Sequence, residues 1–459
     1  MLARRDIGMV SGILVALLVL GADFDGLTVA GQRSLAVSLF GVVWWAAGVV
    51  QPGYTSLLML VGWVLLKAAP AEVVFSLWSS PLVYLVIGGF LIGAAVQDSG
   101  LGQRISYHFI LKYVNSFTGV IVSAYVLGVL LSFFIPHPFP RVFLIMSVMS
   151  VIIKSAGLPG PDAANIGLAV FASAAGGSMI LLTGDSTMNV LASTIGARSL
   201  TWLDWVKHMS VPGIVATAAT CLLQLKLFKP SVPFVLDKAP IRQRLRELGP
   251  LTGTEKRAAF WVGLAVLLWA TDSLHHIHPG WVAALIVVGL SLPRVGDVLT
   301  PSSFTQVPVG TLLFLTAAMA IGKVGEVSGM NNWVATSVLP ASVPANPWVF
   351  ALLATAASIA VHMVLGSVMA VYGIVAPTLL LYAAPAGWDP MVPSLLVYSA
   401  LYMHWILPFH QMTILIGVGE AGGGYTGREA TRLGIPLTIF VFVVTVLVEI
   451  PWWKLTGLL

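Results

Sequence analysis

A histidine and an arginine stand among three prolines in the segment Ile135–Val142, IPHPFPRV, which separates two apolar runs. Proline fixes φ and lacks a backbone donor, so the prolines predict a stiff break between the runs. Arg141 is always charged and offers a planar fork of N–H donors, which suits a carboxylate or a sulfonate. We predict that this break binds a small anion through Pro136, His137, Pro138 and Arg141.

A second polar cluster surrounds an aspartate in the otherwise apolar run 176–191, GGSMILLTGDSTMNVL. Its glycines permit backbone excursions, and a straight helix facing lipid would not collect so many hydroxyl and amide groups. The run therefore predicts an unwound helix whose freed N–H and C=O groups meet a ligand. The predicted ligand-binding residues are Thr183, Gly184, Asp185, Ser186, Thr187 and Asn189.

Structural alternatives remain for both segments. Hydroxyl groups at a kink can bond back to the preceding helical turn without meeting any ligand. Arg141 can pair inside the protein, with Asp185 as one partner, or extend its charged head toward the membrane surface.

The run HWILPFHQMTIL, residues 404–415, carries similar groups in the second half of the chain. A proline is predicted to break the helix there, with an aromatic ring and hydrogen-bonding groups beside it. The predicted site residues are Pro408, Phe409, His410, Gln411 and Thr413. His404 is expected on a different helix face from His410, as a packing residue, so the two are not expected to share a metal ion.

A glycine–serine turn interrupts the apolar stretch 361–377, VHMVLGSVMAVYGIVAP. The helix start after the turn presents free N–H groups, which can hold anions. The predicted site residues of this turn are Gly366, Ser367, Val368 and Met369. His362, one helical turn earlier, is either a core histidine or a pH-sensitive group.

The composition identifies an all-α polytopic membrane protein. Hydrophobic residues make up 58% of the 459 residues and charged residues 9%, against about 25% charged in an average soluble domain. Such a chain fits a bundle of membrane-spanning helices. Cys221 is the only cysteine, which excludes an internal disulfide and a Cys/His metal site. The basic residues fit short loops that set topology and do not indicate nucleic-acid binding.

Eleven apolar segments are predicted to cross the membrane. They lie near residues 8–22, 34–50, 54–70, 81–97, 165–182, 212–228, 259–274, 281–292, 309–323, 392–407 and 434–451. Two further apolar pairs, 117–153 and 348–383, are broken in the middle and are predicted to be re-entrant hairpins. The second arm of the first pair, Val142–Lys154, would be about 20 Å long, which is too short to cross alone.

The positions of the basic residues predict the orientation. With the N-terminus in the cytosol, most Lys and Arg residues lie on the cytosolic side. The C-terminus then lies outside, and we expect a bacterial inner-membrane protein.

The chain divides into two halves that repeat one order of segments. IGAAVQDSGL (92–101) matches IGKVGEVSGM (321–330), and TMNVL (187–191) matches QMTIL (411–415). An odd number of spans in each repeat inverts the second copy, and paired interrupted helices in inverted repeats indicate the midplane site of a transporter. The predicted units are an N-terminal span and outer loop (1–33), a first repeat (34–228), a basic cytosolic linker (229–258) and a second repeat (259–459). The interrupted helices are predicted at 165–197 and 392–420.

At these segments the chain resembles the divalent anion/sodium symporter family, which carries dicarboxylates, citrate and sulfate. The likeness is carried by VWWAAGVVQPGYTSLLML, by SSPLVYLVIGGFLIGAAVQDSGLGQRI and by two segments after the interrupted helices, SLTWLDWVKHMSVPGIV and GYTGREATRLGIPLTIF. The resemblance implies a homodimer in which a mobile transport domain moves as an elevator against a scaffold domain. The family's Ser-Asn-Thr turns are not retained: Pro136, His137 and Pro138 replace the first, and Ser367, Val368 and Met369 replace the second.

We therefore expect a secondary active transporter of a small organic anion, such as a dicarboxylate or a related carboxylate or sulfonate. Its expected partners are that anion, membrane lipids and a second copy of the chain, with no nucleic acid and no cofactor beyond a coupling ion. The hydroxyl groups of Thr183, Ser186, Thr187 and Ser367, with backbone carbonyls, are candidates to hold Na⁺. Asp185, His137 and His410 are candidates to carry H⁺.

Other functions remain as alternatives. Asp185 favours cation/proton antiport, whereas Arg141 disfavours a cationic substrate; efflux of an oxyanion is a related alternative. An intramembrane enzyme is a remote alternative, because the sequence has no HExxH, nucleophile elbow or cofactor motif. A receptor or scaffold would bind the ligand without transporting it.

Overall fold

The computed structural model describes residues 2–196, 200–337, 344–365, 368–420 and 422–459, which form a mostly helical protein. Within these ranges no β-strand forms, and a single parallel bridge joins Val418 to Tyr425. Helices are expected in a lipid environment, because a helix satisfies its backbone polar groups internally.

The described residues of the first half form eleven α-helices joined by short turns. They are α1 (Leu2–Gly21), α2 (Val29–Ala47), α3 (Pro52–Leu65), α4 (Ala71–Val74), α5 (Pro81–Asp98), α6 (Leu101–Tyr113), α7 (Phe117–Leu130), α8 (Pro138–Ser155), α9 (Gly160–Met179), α10 (Met188–Ile195) and α11 (Trp202–Leu227). Short 3₁₀ turns cover Ser76–Ser79, Leu131–Phe133 and Leu182–Asp185.

The second half begins with a linker helix. The helices are α12 (Ala239–Glu247), α13 (Gly253–Ala270), α14 (Asp272–His275), α15 (Pro279–Ser291), α16 (Val309–Ser328), α17 (Met330–Ser337), α18 (Pro347–Leu365), α19 (Val368–Ala383), α20 (Met391–Tyr402), α21 (Met412–Ile416), α22 (Gly427–Phe442) and α23 (Ile450–Thr456). Pro301–Gln306, Ala384–Ala386 and Pro408–His410 are 3₁₀ turns, and the π-helical segment Val443–Glu449 joins α22 to α23.

Each of the eleven predicted apolar segments overlaps a helix. By length and composition, five helices of the described ranges could cross a membrane: Pro81–Asp98, Pro138–Ser155, Trp202–Leu227, Val309–Ser328 and Gly427–Thr456. Shorter apolar helices lie among them, including Pro52–Leu65, Pro279–Ser291 and Met391–Tyr402.

The second arm of the first broken pair is longer than predicted. Helix α8 begins at Pro138, not at Val142, and its 18 residues make it about 27 Å long. The prediction that this arm is too short to cross alone is therefore wrong. Pro138 and Pro140 lie in the first helical turn, where backbone N–H groups have no helical partner, so the helix tolerates them.

Two local details occur at corresponding positions of the two predicted repeats. Gly100 and Gly329 both adopt the left-handed conformation, with φ of 81° and 79°, at the ends of matching helices. Thr201 with Asp204 forms a capping box at the start of α11, and Thr426 with Glu429 forms one at the start of α22.

Helix α20 positions the first interrupted segment. All twelve of its residues are buried, and three of its side chains contact the segment around α10. The Ser394 hydroxyl donates to the carbonyl oxygen of Ala192 at 2.7 Å, and two tyrosines follow at one-turn intervals. Because residues four apart share a helix face, α20 presents one polar stripe to the first half of the chain.

Candidate substrate and ion site

The break IPHPFPRV is hydrogen bonded to the first interrupted segment. The backbone N–H of Ser186 donates to the carbonyl oxygen of Pro136 at 3.0 Å. Gly89 of α5 packs against both: a Cβ there would lie 2.5 Å from Ser186 Oγ and 3.4 Å from Pro136 Cβ. The structure thus brings together two segments that the sequence predicts to share a site.

Arg141 is fully buried where these segments meet. Its Nη1 donates to the carbonyl oxygens of Ile135 (3.2 Å) and Gly184 (3.0 Å), and its Nη2 donates to the Ser178 hydroxyl. A helix break frees carbonyl groups, which must find donors when they are buried. The guanidinium therefore holds the two breaks in place.

These bonds test the alternative that Arg141 forms an ion pair with Asp185. Its partners are backbone carbonyls and a hydroxyl, and among the described residues no carboxylate lies within ion-pair distance of it. In the same ranges its Nε–H has no hydrogen-bond partner. Arg141 thus interacts with Asp185 without a direct ion pair and keeps one open donor.

Asp185 has a partner for each carboxylate oxygen. Its Oδ1 accepts the backbone N–H groups of Thr187 (2.9 Å) and Met188 (3.1 Å), and its Oδ2 accepts the Tyr402 hydroxyl (2.6 Å). A carboxylate at the first turn of α10 satisfies donors that a helix start leaves free. Asp185 therefore caps a helix as well as standing at the candidate site.

Asn189 and Thr183 are also occupied by protein partners. The amide of Asn189 donates to the carbonyl oxygens of Ser178 (2.9 Å) and Leu181 (2.8 Å), and its oxygen accepts the Tyr398 hydroxyl (2.6 Å). The Thr183 hydroxyl accepts the Trp202 indole N–H at 3.1 Å. Both side chains fix the unwound backbone.

Three predicted hydroxyl groups remain open. Ser186, Thr187 and Thr413 are buried, and their hydroxyl oxygens have no hydrogen-bond partner among the described residues. An unsatisfied buried polar group costs about 1–3 kcal/mol. Such groups are suited to meet a ligand or an ion.

The second break begins earlier than the sequence predicts. Helix α20 ends at Tyr402, six residues before Pro408, which instead starts a 3₁₀ turn. Gln411 Nε2 donates to the carbonyl oxygen of Tyr402 at 2.9 Å. Tyr402 therefore contacts Asp185 through its hydroxyl and the second break through its backbone.

The prediction that His404 and His410 lie on different helix faces is wrong. Because α20 has already ended, His404 is not on a helix, and its ring stacks on that of His410 with centroids 5.6 Å apart. His362 contacts both rings at 5.1 Å. Within the described ranges, no group of three or more His, Cys, Asp or Glu residues is arranged to hold a metal ion.

The remaining predicted residues belong to the glycine–serine turn and to the second break. Gly366 and Ser367 lie outside the described residues. Val368 is buried and Met369 is partly buried at the start of α19, whereas Phe409 is 46% exposed.

A cavity of about 410 Å³ opens beside the first break. His137 forms part of its wall, accepts the Phe139 backbone N–H at Nδ1 (3.3 Å) and stacks on Phe90 at 4.1 Å. The remaining wall is mostly apolar, with polar groups from Gln97, Gln306 and Thr311. The cavity gives a small molecule access to the break.

Four residues at or near the site are missing from the sequence prediction: Ser178, Tyr398, Tyr402 and Glu449. The two tyrosines are four residues apart before a break, which places them on one helix face. Glu449 lies in an apolar segment, where an acid is a functional candidate. It is fully buried on the π-helical segment, and neither carboxylate oxygen has a hydrogen-bond partner in the part of the chain described.

Comparison with known proteins gives matches over most of the chain. A family model described as the sodium:sulfate symporter transmembrane region matches residues 7–459. A protein of Cupriavidus necator named "Membrane protein" is 24% identical, over 98% of this chain and 93% of its own length. Dicarboxylate transporter 2, chloroplastic, of Spinacia oleracea is 24% identical, over 94% of this chain and 79% of its own length.

A solved structure shares the fold. The crystal structure of the YdaH transporter from Alcanivorax borkumensis superimposes with a TM-score of 0.50 and 17% identity. The match covers 84% of this chain and 87% of that one.

Proposed function

The chain belongs to the sodium:sulfate symporter family, and from this premise we propose that it is a secondary active transporter of a small organic anion. Membership makes it an integral membrane transporter and not an enzyme. The proposed substrate class is a dicarboxylate or a related carboxylate or sulfonate, in line with the name of the spinach relative.

The observation that carries the proposal is the set of open hydrogen-bond donors around Arg141 where the two breaks meet. Asp185 is held by three hydrogen-bond donors, two of them at the start of α10, whereas Arg141 has no ion-paired carboxylate in the described part of the chain. Open buried donors beside a guanidinium favour an anion that can accept their hydrogen bonds. The open Nε–H of Arg141 and the open hydroxyls of Ser186 and Thr187 supply donors for it.

The proposed coupling ion is Na⁺ or H⁺. Family membership supports Na⁺, which freed carbonyls and the hydroxyls of Thr183, Ser186 and Thr187 would hold, with Ser367 at the second turn. The loss of the Ser-Asn-Thr turns supports H⁺ instead, carried by Asp185, His137 or His410. Uptake that follows a Na⁺ gradient and ignores a proton gradient would exclude the second coupling.

We extend the proposal to the architecture. Eleven spans and two re-entrant hairpins would form two inverted repeats, 34–228 and 259–459, after the N-terminal segment 1–33 and around the cytosolic linker 229–258. The paired left-handed glycines and capping boxes support the repeat. A homodimer in a bacterial inner membrane, with the N-terminus cytosolic and the C-terminus outside, would transport by an elevator movement.

The test uses the purified chain and proteoliposomes. A melting screen of dicarboxylates, sulfonates and sulfate, with Na⁺ and pH varied, should reveal one class that raises the melting temperature by mass action. Liposomes should then accumulate the labelled anion under a Na⁺ or pH gradient. Ser186→Ala should weaken anion binding, whereas Ser291→Ala, in an exposed position at the end of α15, serves as its matched control.

Three results would contradict the proposal. If no anion stabilises the protein and a labelled cation is exchanged for protons, cation/proton antiport replaces it. If an anion binds but is never transported, the chain is a receptor. Extrusion of an oxyanion such as arsenite would instead indicate an efflux permease.

A further inference from the structure

Three buried histidines form one cluster beside the second break. His362 comes from α18, and His404 and His410 come from the segment between α20 and α21. Their ring centroids lie 5.1, 5.1 and 5.6 Å apart, and each residue is at most 1% exposed. We call these three residues the histidine cluster.

The hydrogen bonds assign the ring hydrogens of His362 and His404. His362 Nε2 lies 3.0 Å from the carbonyl oxygen of His410, which can only accept, so Nε2 carries the hydrogen. A neutral His362 then has its lone pair on Nδ1, which lies 3.0 Å from Nδ1 of His404. His404 must therefore donate from Nδ1 and keep its lone pair on Nε2.

The same reasoning places the hydrogen of His410. Its Nδ1 accepts the backbone N–H groups of Ile406 (3.2 Å) and Leu407 (3.3 Å), so a neutral ring carries its hydrogen on Nε2. Among the described residues, neither this Nε2–H nor the Nε2 lone pair of His404 has a partner. The cluster thus contains one open proton acceptor and one open donor, both buried.

We propose that the histidine cluster is a single proton-binding site, with Nε2 of His404 as the acceptor, that couples proton uptake to anion binding. This inference rests on the proposed function and assigns the coupling proton to His404. A proton from water forms an N–H bond at Nε2, and the imidazolium charge is shared through the hydrogen bond to His362. A second proton would be repelled by the first at this separation, so the cluster takes one.

Anion binding supplies the compensating charge. Gln411, the residue after His410, donates to the backbone of Tyr402, whose hydroxyl contacts Asp185. The cluster is therefore linked to Asp185, at the proposed site, through two residues, Gln411 and Tyr402. An anion there would stabilise the imidazolium, and the proton would in turn stabilise the bound anion, because linkage is reciprocal.

The surroundings of the cluster do not supply another charge to it. The elements packed against α18, which carries His362, have the following titratable or charged groups: Arg33 on α2, Tyr372 and Tyr382 on α19, Tyr398 and Tyr402 on α20, Arg428, Glu429 and Arg432 on α22, Glu449 on the π-helical segment and Lys454 on α23. None of these is hydrogen bonded to a cluster histidine in the ranges the structure describes.

A cavity opens next to the segment that carries His410. A cavity of about 500 Å³ is lined by Leu407, which precedes His410 by three residues, and by Arg428, Thr431 and Arg432 of α22. None of the three histidines lines this cavity, so a proton that enters from it must pass Leu407 to reach the cluster.

Two substitutions of His404 separate the proton site from a structural role. His404→Asn retains an N–H near the Nδ1 position, which can still donate to His362, but lacks Nε2. His404→Gln places an amide near Nε2 and loses the bond to His362. His108→Asn, an exposed histidine on α6, is the matched control.

The experiment has two measurements. In detergent with a pH indicator, wild type and His108→Asn should take up about one proton for each anion bound, the stoichiometry of a single site. His404→Asn and His404→Gln should take up none. In proteoliposomes without a Na⁺ gradient, an alkaline interior should drive labelled anion accumulation in wild type, whereas His404→Asn should retain only exchange of labelled for unlabelled anion.

The outcomes distinguish this inference from the proposed function. Anion transport by wild type without proton uptake overturns the coupling site and leaves the proposed function standing, whether or not the variants fold. Proton-driven accumulation by His404→Asn equal to that of wild type also overturns it. If wild type transports no anion at any pH, both proposals fail together.

Discussion

The hydroxyl of Tyr402 donates a 2.6 Å hydrogen bond to Oδ2 of Asp185, and the two residues belong to opposite halves of the chain. Tyr398, one helical turn earlier, donates to Asn189 in the same way. The unwound segment of the first half is thus held by a helix of the second half. Any movement of this segment must therefore carry α20 with it or break these bonds.

Tyr402→Phe should weaken both stability and transport. The substitution removes one donor from Asp185 and leaves a buried carboxylate oxygen without its partner, at an expected loss of about 1–3 kcal/mol in unfolding free energy. Melting in detergent and anion uptake in proteoliposomes would measure the two effects. Tyr54→Phe is the control, because Tyr54 is 68% exposed; equal behaviour of the two variants would show that the bond to Asp185 is unimportant.

Arg141→Lys should abolish transport and lower the melting temperature. A lysine ammonium is a point charge and cannot reach the separate acceptors at Ile135, Gly184 and Ser178 that the guanidinium fork joins. Disrupting a buried charged network costs about 3–5 kcal/mol. Arg242→Lys, on an exposed face of α12, should behave as wild type. Full transport by a stable, dimeric Arg141→Lys protein would show that the charge suffices without the fork.

The sequence predicts the helices well, because apolar runs and their breaks have strong local causes. Every predicted apolar segment overlaps a helix, and both polar runs are interrupted. The start of α8 differs from the prediction, because proline is expected to interrupt a helix. Pro138 and Pro140 instead lie in its first turn, where proline is tolerated.

The hydrogen-bond partners of the site residues could not be predicted from the sequence. Residue types indicate that Arg141 and Asp185 are costly to bury, but not that backbone carbonyls and Tyr402 would satisfy them. Gly184 lies 43 residues from Arg141 and Tyr402 lies 217 residues from Asp185 along the chain, so only the packing of the helices reveals these contacts. The predicted position of His404 is wrong for a related reason. Helical spacing predicts a shared or separate face only within a helix, and α20 ends before His404.

Gly434→Ala should disrupt the second break. A Cβ on Gly434 would lie 1.8 Å from the carbonyl oxygen of Trp405, the residue after His404. Since backbone cannot give way as a flexible side chain can, α22 or the break must shift, at about 1–3 kcal/mol or more. Melting and anion uptake would both fall.

Gly263→Ala is the matched control for this effect. Gly263 is also helical, on α13, and a Cβ there meets no atom within 4 Å. Alanine should change stability by about 1 kcal/mol or less, in the stabilising direction, because it favours the helix. Similar losses in both variants would show that close approach to Trp405 is not the cause.

Glu255→Gln should remove part of the acid sensitivity of the fold. Glu255 lies in the linker at the start of α13, and Arg104 of α6 holds it through bonds of 2.7 and 3.0 Å. Arg104 also donates to the carbonyl oxygens of Leu248, Gly249 and Pro250, so this pair docks the linker. Hydrogen bonds from Arg104 lower the pKa of the Glu255 carboxyl below its ordinary value of 4.5.

The sign of the pH effect follows from that lowered pKa. The stabilisation is fully present above the ordinary pKa of an unfolded glutamate and is lost as the pH falls through the lower pKa of the folded state. Melting temperatures of wild type should therefore decline below about pH 4.5, and those of Glu255→Gln should start lower and decline less. Glu247→Gln changes only exposed contacts, with Gln243 and Arg244, so its decline should match wild type. An equally steep decline in Glu255→Gln would show that this pair does not control the acid response.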